Sequence, residues 1–139
     1  MKLKYYIPLP LLFGYLLLLT SCSGNKEGFE RVIVSGVVSY QGEPVPYGRI
    51  RFTPRDGTTG PVSVSTLKEG QYRIDHKGGV PVGTHTVQMW SFDPMELEIP
   101  TPGGPPVRQY LPQKYNLKSE LVATVENGTG EDVQNFDLK

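Results

Sequence analysis

The chain has 139 residues with 14 basic and 14 acidic side chains, so it lacks the basic excess that draws a protein to nucleic acid. Its single cysteine excludes an intramolecular disulfide, and stability has to come from packing. Sixteen glycines and thirteen prolines cut the chain into short pieces, which argues for an all-β domain rich in turns and against long helices.

Residues 1–21 read as a secretory leader. Lys2 and Lys4 form a basic start, an apolar segment runs from about Tyr5 to Leu19, and small residues precede Cys22. Pro8, Pro10 and Gly14 interrupt the apolar segment, which is short for a permanent helix across a hydrocarbon layer of about 30 Å. Leu19-Thr20-Ser21-Cys22 resembles the lipobox of bacterial lipoproteins. That resemblance implies cleavage before Cys22, a diacylglyceryl thioether on its sulfur and acylation of the new N-terminus, so that several acyl chains hold the protein on a membrane. The alternative is a plain secretion signal with an incidental Cys22. Cleavage leaves 118 residues with 12 basic and 14 acidic side chains, a net charge of −2. Residues 22–30, with Gly24 and Gly28, read as a flexible tether in front of a single domain at 31–139.

From Arg31 the chain alternates with period 2: Val32, Val34, Val38 and Tyr40 share one side of an extended run, with Ile33, Ser35, Val37 and Ser39 on the other. Gly36 inside this strand predicts a bulge or the close approach of another backbone. Gln41 to Pro44 is a turn signal, and Gly48 to Thr53 resumes alternation with Ile50 and Phe52 inward and Arg49 and Arg51 outward. These two strands are expected to pair. Val62–Thr66, Gln71–Asp75 and Thr84–Trp90 supply three more strands, the last a central one, and Lys68-Glu69-Gly70 is a tight connection. Leu121–Val125 and Val133–Leu138 complete a set of seven, around a turn at Asn127-Gly128. Seven short strands at this spacing predict a β-sandwich. Residues 91–109 stand apart, with five prolines and two glycines and no regular element, a loop long enough to be functional or mobile.

Several pieces coincide with one family. Val34-Ser35-Gly36-Val37-Val38 followed by Gly42-Glu43-Pro44-Val45, then Glu69-Gly70-Gln71-Tyr72-Arg73-Ile74, then Val82-Gly83-Thr84-His85-Thr86-Val87 resemble, in order, the motifs of carboxypeptidase regulatory-like domains. The ending, Leu111-Pro112-Gln113-Lys114-Tyr115-Asn116 and Phe136-Asp137-Leu138, is similar to that of small planctomycete lipoproteins carrying such domains. Val82 stands where the family has proline or alanine, with Pro81 one place early. The resemblance implies a transthyretin-like (prealbumin-like) sandwich. It also implies an accessory module that packs against a partner and has no catalytic residues of its own.

Reactive constellations are sparse. His76 and His85 are the two histidines, and no metal-binding spacing, nucleophile elbow or phosphate loop followed by a helix accompanies them, so no cofactor or metal is expected. Asp93, Glu96 and Glu98 form the one local acidic cluster, read as solvated loop charges with calcium binding or a carboxylate pair as the alternative. Arg49, Arg51 and Arg73 on outward strand positions form either a basic strip for anionic glycans or lipid headgroups, or solvated charges that guard sheet edges, the latter favoured. Trp90, Phe92, Tyr110 and Tyr115 flank the long loop and are the candidate contact surface, with covering of the domain's end as their ordinary structural role. Asn127-Gly128-Thr129 matches a glycosylation acceptor and reads more simply as a turn. The expected function is therefore that of a lipid-anchored envelope protein, facing the periplasm or cell surface, whose non-catalytic module is structural or binds an envelope protein. An envelope polysaccharide is the alternative partner and a hydrolase or metal enzyme the remote one.

Overall fold

The computed structural model describes residues 28–92, 109–128 and 130–139. The expected leader, Cys22, most of the tether, residues 93–108 with Asp93, Glu96 and Glu98, and Thr129 lie outside the described residues. The regular structure of the described chain is mostly β-strand with nearly no helix, in agreement with the all-β expectation. The long first strand β1 (Arg31–Tyr40) is followed by β2 (Glu43–Pro44), β3 (Tyr47–Pro54), β4 (Ser63–Lys68) and β5 (Gln71–Ile74). After a 3₁₀ turn at His76–Gly78 come β6 (Val80–Pro81) and β7 (Gly83–Ser91), then a second 3₁₀ turn at Gln113–Tyr115, β8 (Val122–Val125), β9 (Glu131–Val133) and β10 (Phe136–Leu138).

β1 is the strand on which the others assemble. Along one edge it pairs antiparallel with β6, β5 and β2 in turn, and along the other it pairs parallel with β9 and β10. The sheet then runs β1-β5-β4-β3-β7-β8. The expected pairing of the first strand with Gly48–Thr53 does not occur: β3 lies between β4 and β7. Proline is the physical reason. Gln41 and Gly42 turn the chain back onto β1, but Pro44 and Pro46 have no N–H to extend the ladder, so the hairpin stops after two residues. The chain at Val45 and Pro46 instead accepts hydrogen bonds from Gly70 and Glu69 at 2.8 Å each, which docks the β4–β5 turn there and places β5 beside β1.

One further expectation changes. The run Val133–Leu138 is not one strand: Gln134 and Asn135 interrupt it, giving β9 and β10 with separate registers on β1. In β4 Val64 faces outward, as does Val62 just before the strand, while Ser63 and Leu67 face the core. That parity is set by the two-residue turn at Glu69-Gly70, whose residues have φ of 50° and 76° and which aligns Lys68 with Gln71. Leu67 and Tyr72 are thereby sent inward together.

The sheet curls until its ends meet. The Gln134 side chain, beside β9, donates to the Thr124 carbonyl of β8 at 3.1 Å, and the Phe136 ring of β10 packs edge-on against Phe52 of β3 with centroids 6.4 Å apart. Inside the curl lie Val34 and Val38 of β1, Ile50 and Phe52 of β3, Leu67, Tyr72, Ile74, Val87, Met89 and Val125. Complete removal of such side chains from water contributes about 1.5–3 kcal/mol each before chain entropy is counted. His85 shares this core, with its ring edge-on to Phe52 at 6.0 Å.

Candidate functional site

The outer face of β3, β4 and β7 carries the side chains that the core rejects. Strand alternation places Arg49 and Arg51 outward while Ile50 and Phe52 point in. The ladders then fix their neighbours: Arg49 lies directly across from Trp90 of β7 and from Thr66 of β4, and Arg51 from Gln88 and Val64. Two residues along a strand span roughly 7 Å, so the two arginines stand side by side on this face. With Trp90, Phe92, Val62 and Val64 they enclose an open hollow of about 420 Å³.

A second hollow, of about 570 Å³, continues from the same Trp90 and Phe92 to Tyr110, Pro112 and Leu117. The segment after residue 108 is tied here by the Gln109 side chain and the Tyr110 backbone. Gln109 Oε1 accepts from the Ser91 and Leu111 amides at 2.7 and 3.2 Å, and the Tyr110 amide donates to the Ser91 carbonyl at 3.1 Å. Gln88, also on the outer face, donates to the Asn116 carbonyl at 2.9 Å, which holds the turn carrying Leu117 beside Trp90. The surface is apolar for its exposure: Val62, Val64, Tyr110 and Leu117 are 40, 46, 49 and 74 % exposed.

Of the four expected contact aromatics, the structure brings Trp90, Phe92 and Tyr110 to this surface and not Tyr115. Tyr115 is 7 % exposed, meets Tyr40 edge-on at 6.3 Å, and its hydroxyl bonds the Lys139 backbone. It is a core residue that pins the end of the chain. Val62, Val64 and Leu117 were not distinguishable as surface residues in the sequence. Their signal is the parity of β4 and the bond from Gln88, both products of folding.

The three outward arginines separate into two groups. Arg73 of β5 is neutralised: it forms an ion pair with Glu131 and another with Asp75 at 3.4 Å, and the Ser35 hydroxyl and the Arg73 guanidinium together hold the Glu131 carboxyl below its usual range. Arg49 and Arg51 meet no carboxylate among the described residues, and the Arg51 Nε is buried without a hydrogen-bond acceptor there. They also sit on a strand flanked on both sides, so guarding a sheet edge is not their task.

The histidines lie apart from this surface. His76 is exposed on the first 3₁₀ turn, whereas His85 is fully buried and its Nδ1 donates to the Gly83 carbonyl at 3.1 Å. That bond assigns the neutral ring's proton to Nδ1 and leaves Nε2 as an acceptor without a partner among the described residues. No cluster of three or more histidine, cysteine or acidic side chains that could hold a metal occurs among the described residues. No helix among them is long and apolar enough to cross a membrane.

Comparison with family models, curated proteins and solved structures finds no match to this chain.

Proposed function

We propose that this chain is a lipid-anchored protein of a bacterial envelope whose non-catalytic β domain makes contacts through the outer face of β3, β4 and β7. The anchor is Cys22, and residues 22–30 are its tether. The domain is read as a seven-stranded, transthyretin-like sandwich of the carboxypeptidase regulatory-like type, in which β2, β6 and β9 are short additions along β1.

The observation that carries the contact reading is the juxtaposition of Trp90, Phe92, Tyr110, Val62, Val64 and Leu117 on one exposed surface, with two arginines that no neighbouring carboxylate neutralises among the described residues. Large apolar side chains concentrated on a monomer's surface mark interaction sites, and aromatic residues with arginine dominate the energetics of such contacts. The anchor reading rests on the lipobox and the apolar segment before it.

Two measurements test these parts separately. Metabolic labelling with an alkyne fatty acid is expected to mark the full chain and to fail on Cys22→Ala; a label that survives the substitution overturns the anchor. Cross-linked pull-down from the native envelope is expected to lose its partner with Trp90→Ala. An unchanged set of partners overturns the contact face.

A further inference from the structure

We propose that the hollow beside Trp90 takes a polysaccharide whose charge is carried by sugar carboxylates, an inference that rests on reading this face as a contact surface. Three features of the face point to such an occupant. The indole of Trp90 offers a broad apolar surface on which the C–H face of a sugar ring stacks, while its edge remains able to donate a hydrogen bond. Arg49 lies directly across the ladder from Trp90, and Arg51 follows two residues along the same side of β3. A guanidinium binds a carboxylate through two parallel hydrogen bonds, and the Arg51 Nε has no hydrogen-bond acceptor among the described residues.

The shape favours a polymer lying along the surface over an inserted side chain. The two hollows are open and joined through Trp90 and Phe92, so together they make a shelf from Arg51 past Trp90 to Leu117. A protein partner is ordinarily held by an anchor buried in a deep pocket, whereas a chain of sugars needs an extended platform with spaced charges. Charge selects the ligand further. Arg73 is engaged by Glu131 and Asp75, and Arg55 by Asp56, whereas Arg49 and Arg51 meet no carboxylate among the described residues, so on this face they are the arginines that can meet an anion.

Trp90 is the single tryptophan, so its fluorescence reports the site directly. The full-length protein in detergent is titrated with oligogalacturonate, with a neutral maltooligosaccharide of equal length, and with polyglutamate. A saturable change is expected with oligogalacturonate alone, weakening as salt is added. Arg51→Gln and Arg49→Gln should each weaken binding roughly tenfold or more, as expected for loss of a charge-assisted pair, with Arg51→Lys falling between wild type and Arg51→Gln. Thermal melting of each variant shows that the fold is retained, and the salt dependence of the wild type stands even if one variant fails to fold. No response to oligogalacturonate, or an equal response to the neutral sugar, overturns the proposal. A tighter response to polyglutamate also overturns it and assigns the face to an acidic peptide. If Trp90→Ala still releases the envelope partner while oligogalacturonate does not bind, the contact face stands and the glycan falls.

Discussion

The carbonyl oxygen of Gln134 occupies the place where Gly36 would carry a side chain: a Cβ built on Gly36 would lie 1.9 Å from that oxygen. The Gln134 amide in turn donates to the Ser35 carbonyl at 2.9 Å, and the Tyr72 hydroxyl donates to the Gln134 carbonyl at 2.7 Å. This crossing is where the link between β9 and β10 is pressed onto β1, and through the Gln134 side chain it also reaches β8. Closure of the curled sheet therefore depends on a missing methyl group.

Gly36→Ala is expected to destabilise the fold by at least about 2–3 kcal/mol, because the obstruction is backbone and cannot rotate away. Chemical denaturation should show a lowered midpoint. Gly128→Ala is the control: no atom lies within 4 Å of its added Cβ, and its effect should stay within about 0.5 kcal/mol. Equal midpoints for the two variants would refute the account of closure.

Tyr72→Phe removes the hydroxyl bond to Gln134 while keeping the ring against Phe52 and Phe136, and should cost about 1–2 kcal/mol. Burial, assisted by the nearby Asp132 carboxylate, raises the Tyr72 phenol above its ordinary value of about 10. A raised folded value means that the folded state holds its proton more firmly than the unfolded chain. Its contribution is thus complete below about pH 10 and is lost as the pH climbs above that value. Stability should decline above pH 10 in the wild type and decline less in Tyr72→Phe, as read from denaturant midpoints across an alkaline series.

Burial lowers the His85 imidazole below its ordinary value of about 6.5, opposed in part by the bond to the Gly83 carbonyl. Here the unfolded chain binds the proton more readily, so the contribution is present above about pH 6.5 and is lost as the pH falls toward the folded value. Thermal melts between pH 7 and pH 5 should show a falling midpoint. His85→Phe should flatten that limb, and an unchanged slope would show that other groups govern it.

The turn at Glu69-Gly70 holds a glutamate at φ 50°, a left-handed conformation that costs ordinary side chains about 1–2 kcal/mol. Glu69→Asn supplies the residue that best tolerates it in a two-residue hairpin and should stabilise the protein by up to about 1 kcal/mol. Gly70→Ala should do the reverse, since its φ is 76° and an added Cβ meets Pro44 at 2.9 Å. Calorimetry of the pair should move the melting temperature in opposite directions.

Local pattern made much of this readable beforehand. The alternation in Val32, Val34 and Val38 gave the buried face of β1, and Gly36 announced a close approach without naming Gln134 as the group that approaches. His85 follows the alternation of Val87 and Met89, which accounts for its burial. The candidate surface was legible in Trp90, Arg49 and Arg51, because each falls on an outward position of its strand, and Phe92 follows Trp90 just beyond the end of β7. Tyr115 was not: proximity to a long loop does not say which side of the chain its ring takes, and its hydroxyl bonds a residue 24 positions away.

Taken alone, the sequence determined the class of fold, the positions of most strands and the two-residue turns, all properties set within a few consecutive residues, as is the resemblance of Leu19-Thr20-Ser21-Cys22 to a lipobox. Tertiary structure decided which strands are neighbours, because Pro44 and Pro46 end one hairpin and leave room for β5 beside β1. It also decided that Val62 and Val64 look outward, through a turn that fixes register, and that Arg73 meets Glu131 while Arg49 and Arg51 meet Trp90 and Val64 instead. Those outcomes depend on pairing between distant segments, where geometry and the exclusion of unpaired polar groups choose among partners that local pattern leaves equivalent.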